Sequence, residues 1–185
     1  MAVGLVRSGA VVGICCCLLA PGCSSDDGAG AAAIATSASV TTSTAPPRPT
    51  TTTSLVYDPA TVEGQVEAAY LRSWEVYAAA VYDLVLDEEA LASVYADPYL
   101  QTIRGHIQSK IAENRPSMFR MDHDYTIQFS RPGLAVVIDN ETNHHVRVDP
   151  VTRQPIEADP NQALTEAIVL EETGDGWRVT RFYIF

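Results

Sequence analysis

The hydrophobic period of this chain changes once, at Pro116, and that change limits the fold more than any other feature. Before it, apolar residues recur at helical spacing; after it, they alternate, as in strands with one buried face. Asp58-Pro59 offers a helix start, with Asp as N-cap and Pro in the first turn. Val62, Val66, Tyr70, Ser73, Trp74, Tyr77, Val81 and Leu84 then fall on one helical arc. Asp87, before Glu88-Glu89, opens a short helix through Leu91, Val94 and Tyr95. Asp97-Pro98 opens a third, with Leu100, Ile103, Ile107 and Ile111 on one stripe. Its end is expected near Asn114, because a proline disfavours helix in the residue before it.

Beyond Pro116, Tyr125, Ile127 and Phe129 alternate with polar neighbours and predict a half-buried strand. Arg131-Pro132-Gly133 is a turn. Residues 134–139 are apolar on both faces, as in a covered central strand, and 144–149 predict another strand closed by Asp149-Pro150-Val151-Thr152. Residues 163–172 and 177–185 form a final hairpin across 173–176. Three helices followed by four or five antiparallel strands give an α+β domain.

Residues 57–185 carry every aromatic side chain in the 185-residue chain, and they are expected to form one domain. The four cysteines, Cys15, Cys16, Cys17 and Cys23, all precede it, so it can hold neither a disulfide nor a thiolate metal site. Arg7 followed by an apolar run over 9–20 is too short to span a bilayer but suits a signal peptide, expected over 1–22. Leu18-Leu19-Ala20-Pro21-Gly22-Cys23 resembles a bacterial lipobox, which implies acylation (palmitate) at Cys23; ordinary secretion is the alternative. Residues 23–56 are rich in Ser, Thr, Ala, Gly and Pro and predict a disordered tether, with glycosylation of its Thr/Pro end left open.

Charge narrows the partners. Acidic residues number 23 against 12 basic ones, a net charge of −11, which argues against a nucleic-acid partner. The expected site of action is the extracytoplasmic side of a cell membrane.

Three segments resemble the nuclear transport factor 2-like superfamily. They are the aromatic first helix around Ala69-Tyr70-Leu71-Arg72-Ser73-Trp74, the short helix leading into Asp97-Pro98, and the terminal hairpin at Gly174-Asp175-Gly176-Trp177-Arg178-Val179. The resemblance covers nearly all of 57–185. It implies a cystatin-like cone, in which three N-terminal helices pack on a curved antiparallel sheet of four to five strands. Bacterial members with a leader and a Thr/Pro-rich linker resemble cell-envelope lipoproteins and mammalian-cell-entry-associated proteins. Relatives also include ketosteroid isomerases, polyketide cyclases and dehydratases, so the fold does not decide function.

An isomerase- or cyclase-type site needs a carboxylate or His inside the cone with hydroxyl donors opposite. Asp139 shares a strand face with Ala135 and Val137, and His144 shares one with Val146 and Val148. These two are the acid–base candidates, beside the plainer reading of a solvated strand end and a satisfied histidine. Tyr70, Ser73, Trp74 and Tyr77 are the pocket-lining candidates, beside the plainer reading of core. No catalytic residue transfers from the isomerase pattern. Asp122-His123-Asp124 and His144-His145 alternate in direction along a strand, so neither converges locally on an ion; no metal and no cofactor are expected. Tyr99, His106 and Lys110 form a row that reads either as a cavity rim or as a solvated flank.

The expected function is a lipid-anchored extracytoplasmic protein with a non-catalytic ligand-binding or docking domain, its partner an envelope protein or a second copy through the sheet face. The alternatives are an isomerase- or dehydratase-like enzyme using Asp139 or His144, and a carrier of a small apolar molecule.

Overall fold

The computed structural model describes residues 56–185, Asp159 apart. The leader, Cys23 and the tether up to residue 55 lie outside the described residues. Helix α1 (Val62–Asp83) is followed by α2 (Glu88–Val94) and α3 (Tyr99–Ala112). The strands are β1 (Ser117–Met118), β2 (Met121–Asp122), β3 (Tyr125–Arg131), β4 (Leu134–Asn143), β5 (Val146–Val148), β6 (Pro155–Ala158), β7 (Gln162–Thr173) and β8 (Gly176–Ile184). A five-stranded antiparallel sheet runs β2-β4-β7-β8, with β3 also paired to β4, and a small sheet runs β1-β5-β6. The α+β class and the three-helix, antiparallel-sheet layout are therefore as expected. None of the described helices is long and apolar enough to cross a membrane.

Helix α1 starts differently from the expectation. Thr61, not Asp58, is its N-cap, and its hydroxyl accepts from Gly64 N at 3.1 Å. Asp58 instead closes a local turn by accepting from Ala60 N, and its carbonyl takes Thr61 N. That turn folds so tightly onto the helix that a Cβ at position 64 would stand 2.1 Å from the Asp58 carbonyl oxygen, so only glycine fits. Asp87 caps α2 as expected. At α3, no side chain caps the helix, and Pro98 stands at the cap position.

The core lies between α1 and the concave face of the large sheet. Val66, Tyr70, Tyr77 and Val81 of α1 meet Leu91, Ile103 and Ile107 of the shorter helices and Ala135, Val137, Ile168, Leu170 and Val179 of the strands. Val62, expected on the apolar arc, is half exposed. Glu67 is fully buried beside this core. Its carboxylate accepts from Val56 N at 2.7 Å, Tyr57 N at 3.1 Å and the Tyr125 hydroxyl, so three donors offset its desolvation and fix the start of the domain.

Two irregularities shape the sheet. Strands β2 and β3 both pair with β4 in a single register, interrupted at His123 and Asp124, so His123 sits across from Glu141. In β8, Thr180 is an extra residue between the Leu170–Val179 and Val169–Arg181 pairs. Trp177 and Val179 face inward before this bulge, and Phe182 and Ile184 do so after it. The small sheet is tied to α1 by Arg153, whose guanidinium donates to the Tyr82 carbonyl at 2.6 Å and lies over the Tyr82 ring.

Candidate functional site

Between the helices and the large sheet lies a cavity of about 270 Å³. Helix α1 supplies Ser73, Trp74 and Tyr77, and α3 supplies Tyr99 and His106. From the sheet come Glu141 on β4, Glu166 and Ile168 on β7, and Phe182 on β8. A second recess of about 240 Å³ shares Tyr77, His106, Phe119 and Asn143 with the first and adds Lys110 and His145. The Tyr99, His106 and Lys110 row is thus a cavity rim rather than a solvated flank.

The walls are aromatic and mutually braced. Tyr99 stacks on Phe182 with 6° between the rings, and Trp74 meets both Tyr77 and Phe182 edge to face. The Tyr77 hydroxyl and His106 Nδ1 lie 3.0 Å apart. Burial, with Lys110 nearby, lowers the His106 pKa and keeps its ring neutral. Burial raises the Tyr77 and Tyr99 phenols, so both remain hydroxyls.

Behind this wall lies a closed polar network centred on Asp139, which is fully buried. Its Oδ2 accepts from the Tyr70 hydroxyl at 2.5 Å and from His123 Nδ1 at 2.6 Å, and its Oδ1 accepts from Asp124 N at 2.8 Å. Burial first, and the Asp139 charge second, push the Tyr70 phenol far above its usual pKa. These three donors satisfy the buried carboxylate and hold the two-residue break between β2 and β3 in place. His123, Asp139 and Glu141 each bring one ligand-type atom within 4.8 Å of the others. Such a trio could hold a metal ion; Nδ1 and Oδ2 are bonded to each other, while His123 Nε2 and both Glu141 oxygens have no hydrogen-bond partner.

Glu141 and Glu166 bring such unpartnered oxygens to the cavity wall. Both are almost wholly buried, both line the cavity, and neither oxygen of Glu141 nor Oε2 of Glu166 has a hydrogen-bond partner. Desolvation, opposed by His123 and assisted by Asp139, raises Glu141 to about 7. Desolvation together with the Glu141 and Asp139 charges raises Glu166 to about 8. Near neutral pH each carboxyl can therefore gain or lose a proton.

Of the expected residues, Ser73, Trp74 and Tyr77 line the cavity, while Tyr70 and Asp139 stand one layer behind it. His144 is outside: its ring bonds Asp122 Oδ2 and Asn161 Oδ1, each at 2.8 Å. The strand expected from residue 144 begins only at Val146, so the alternation that aimed His144 inward does not reach it, and the His145 ring packs against Phe119 at a 39° tilt. Glu141 and Glu166 were missed, and His123 was considered only in a local metal cluster and set aside. Period two supplied the signal: His123 is in phase with Tyr125, Glu141 with Val137, and Glu166 with Ile168.

No family model matches the chain, and no curated protein matches it. Among solved structures, the intermembrane space region of the chloroplast protein ARC6 is similar over 66% of this chain and 95% of that one, with a TM-score of 0.52 and 14% identity. At that identity the likeness is one of fold. Weaker likenesses include a nuclear transport factor 2-like family protein from Streptomyces avermitilis, at a TM-score of 0.44 and 18% identity over 69% of this chain and 97% of that one. A domain with a cystatin-like fold from Nostoc punctiforme is similar at a TM-score of 0.44 and 10% identity, over 66% and 75%.

Proposed function

We propose that this chain is an extracytoplasmic lipoprotein, anchored through Cys23, whose nuclear transport factor 2-like domain binds a small molecule in the cone without turning it over. The observation that carries the reading is the aromatic cavity of about 270 Å³ with two buried carboxyls in its wall. A cone filled by its own side chains would have favoured a docking module, and a wall without charge would have favoured a purely apolar cargo. Residues 57–185 hold 21 acidic and ten basic residues, so anionic headgroups repel the domain and attachment falls to the acyl chain.

Native mass spectrometry of the full-length chain, purified from membranes in mild detergent, tests the cavity. Wild type is expected to retain a stoichiometric small molecule, and Leu164→Trp, at a half-buried wall position, to lose it. An empty wild type would oppose the reading. A fatty-acid probe tests the anchor, since equal labelling of wild type and Cys23→Ala would refute it.

One observation favours a second reading, an isomerase- or dehydratase-like enzyme. Glu141 at about 7 and Glu166 at about 8 are poised for proton transfer at neutral pH, with Tyr77 and Tyr99 hydroxyls in the same cavity. In that reading the acid–base pair is Glu141 and Glu166, and Asp139 is a positioning residue. Exchange of solvent deuterium into a bound ketone, lost in Glu141→Gln, would support it over simple binding.

A further inference from the structure

We infer that the cavity selects a small organic cation, a protonated amine carried on one or two rings, held between Glu141 and Glu166. This rests on the ligand-binding reading and names the class of ligand.

The argument begins with what the wall lacks. Glu141 is 1% exposed and Glu166 2%, and both look into the cavity from one face of the sheet. Glu166 is paired directly with Asp139, and Glu141 is two residues along the same strand, so the two glutamates are diagonal neighbours. Three acids thus crowd one buried patch with His123 as the adjoining base. No Lys or Arg is among the described residues lining this cavity, Lys110 lining only the adjoining recess, and burial with Lys110 nearby lowers the His106 pKa. A buried carboxylate without donors is costly, and protonating one of two neighbouring carboxyls leaves the other's oxygens unsatisfied.

An ammonium group meets each requirement. It carries up to three N–H donors, enough to reach the unpartnered oxygens of both glutamates, and its charge offsets theirs. The rings of Trp74, Tyr99 and Phe182 present aromatic surface that attracts cations and packs against an apolar body. A hard metal ion would gain nothing from these rings. At about 270 Å³ the cavity sits at the small end of ligand sites, which run from roughly 300 to 1,000 Å³, and this limits the body to one or two rings.

Isothermal titration of the full-length chain with tryptamine and with tryptophol, its neutral alcohol counterpart, tests the inference without any substitution. Tryptamine is expected to bind at least tenfold more tightly at pH 8. Glu141→Gln and Glu166→Gln, which keep side-chain volume, are each expected to erase most of that preference while tryptophol binding persists. Equal affinity for amine and alcohol would overturn the cation and leave the cavity reading intact. A preference that survives both substitutions would overturn the assignment to these residues. Binding of zinc alone, lost in Glu141→Gln, with no uptake of tryptamine, would replace the amine by a metal. If neither indole binds, both the inference and the cavity reading fall.

Discussion

Asp139 and Glu166 face each other directly across β4 and β7, two carboxyls on the buried side of one sheet. Like charges placed so are destabilising when both ionise. The molecule separates their roles by hydrogen bonding. Asp139 receives three donors, whereas Glu166 receives none at Oε2 and holds its proton to about 8.

Stability should therefore fall as pH rises. In the unfolded chain Glu141 and Glu166 lose their protons near pH 4–5, while in the folded chain they hold them to about 7 and about 8. Between those limits the folded state binds more protons, so unfolding becomes easier with increasing pH. Thermal melts should give a lower Tm at pH 9 than at pH 5.5, and E141Q/E166Q should show a smaller drop. His123 and Asp139 face the pair from the strands and Tyr99 from α3; all three are unchanged in the double variant, as is the His144–Asp122 pair. The difference between the two profiles thus belongs to the glutamates.

Tyr70→Phe removes a hydroxyl that donates to Asp139 Oδ2 and lies 3.1 Å from His123 Nδ1. The ring still fills its place in the core. A hydrogen bond to a charged acceptor contributes about 1.5–3 kcal/mol, and urea unfolding should show a loss in that range. An unchanged midpoint would mean that the network repairs itself without Tyr70.

Thr61→Ala should cost about 1 kcal/mol through loss of the α1 cap. Gly64→Ala should cost about 1–3 kcal/mol for a different reason, since its methyl meets the Asp58 carbonyl oxygen at 2.1 Å. Denaturant curves of both variants check the pair. Asp58→Ala should cost less than either, because Asp58 closes only the exposed turn before the helix.

Glu67→Ala should be the most damaging of these substitutions. It strands Val56 N, Tyr57 N and the Tyr125 hydroxyl and leaves a hole beside the core. A loss of about 3–5 kcal/mol is expected by analogy with other broken buried charge networks. Proteolysis of the native protein should also speed up near residue 57.

Periodicity made the layers readable. Three helices, the covered central strand and the terminal hairpin all follow from apolar spacing within short windows. Asp139 was legible in the same way, from its phase with Ala135 and Val137. Glu141 and Glu166 share that phase on their strands, but a charged residue on an otherwise regular strand reads as solvated until a cavity is known to cover it. The Tyr70–Asp139 contact spans 69 positions, and the His123–Asp139 contact depends on a break in the edge strand. Neither distance leaves a local trace. The small sheet was missed in part because β1 and β6 are two and four residues long, too short for alternation to register, and β2 of the large sheet was missed for the same reason.

The bulge at Thr180 divides β8 between two duties. Up to Val179 the strand is ordinary core, and changes there act on folding. From Phe182 onward the same strand lines one side of the cavity, where Phe182 stacks on Tyr99 and meets Trp74 edge to face. A change at Phe182 should therefore reshape the cavity wall while the strand pairs nearer the turn keep their register. One strand thus meets two separable demands, folding in its first half and cavity shape in its second.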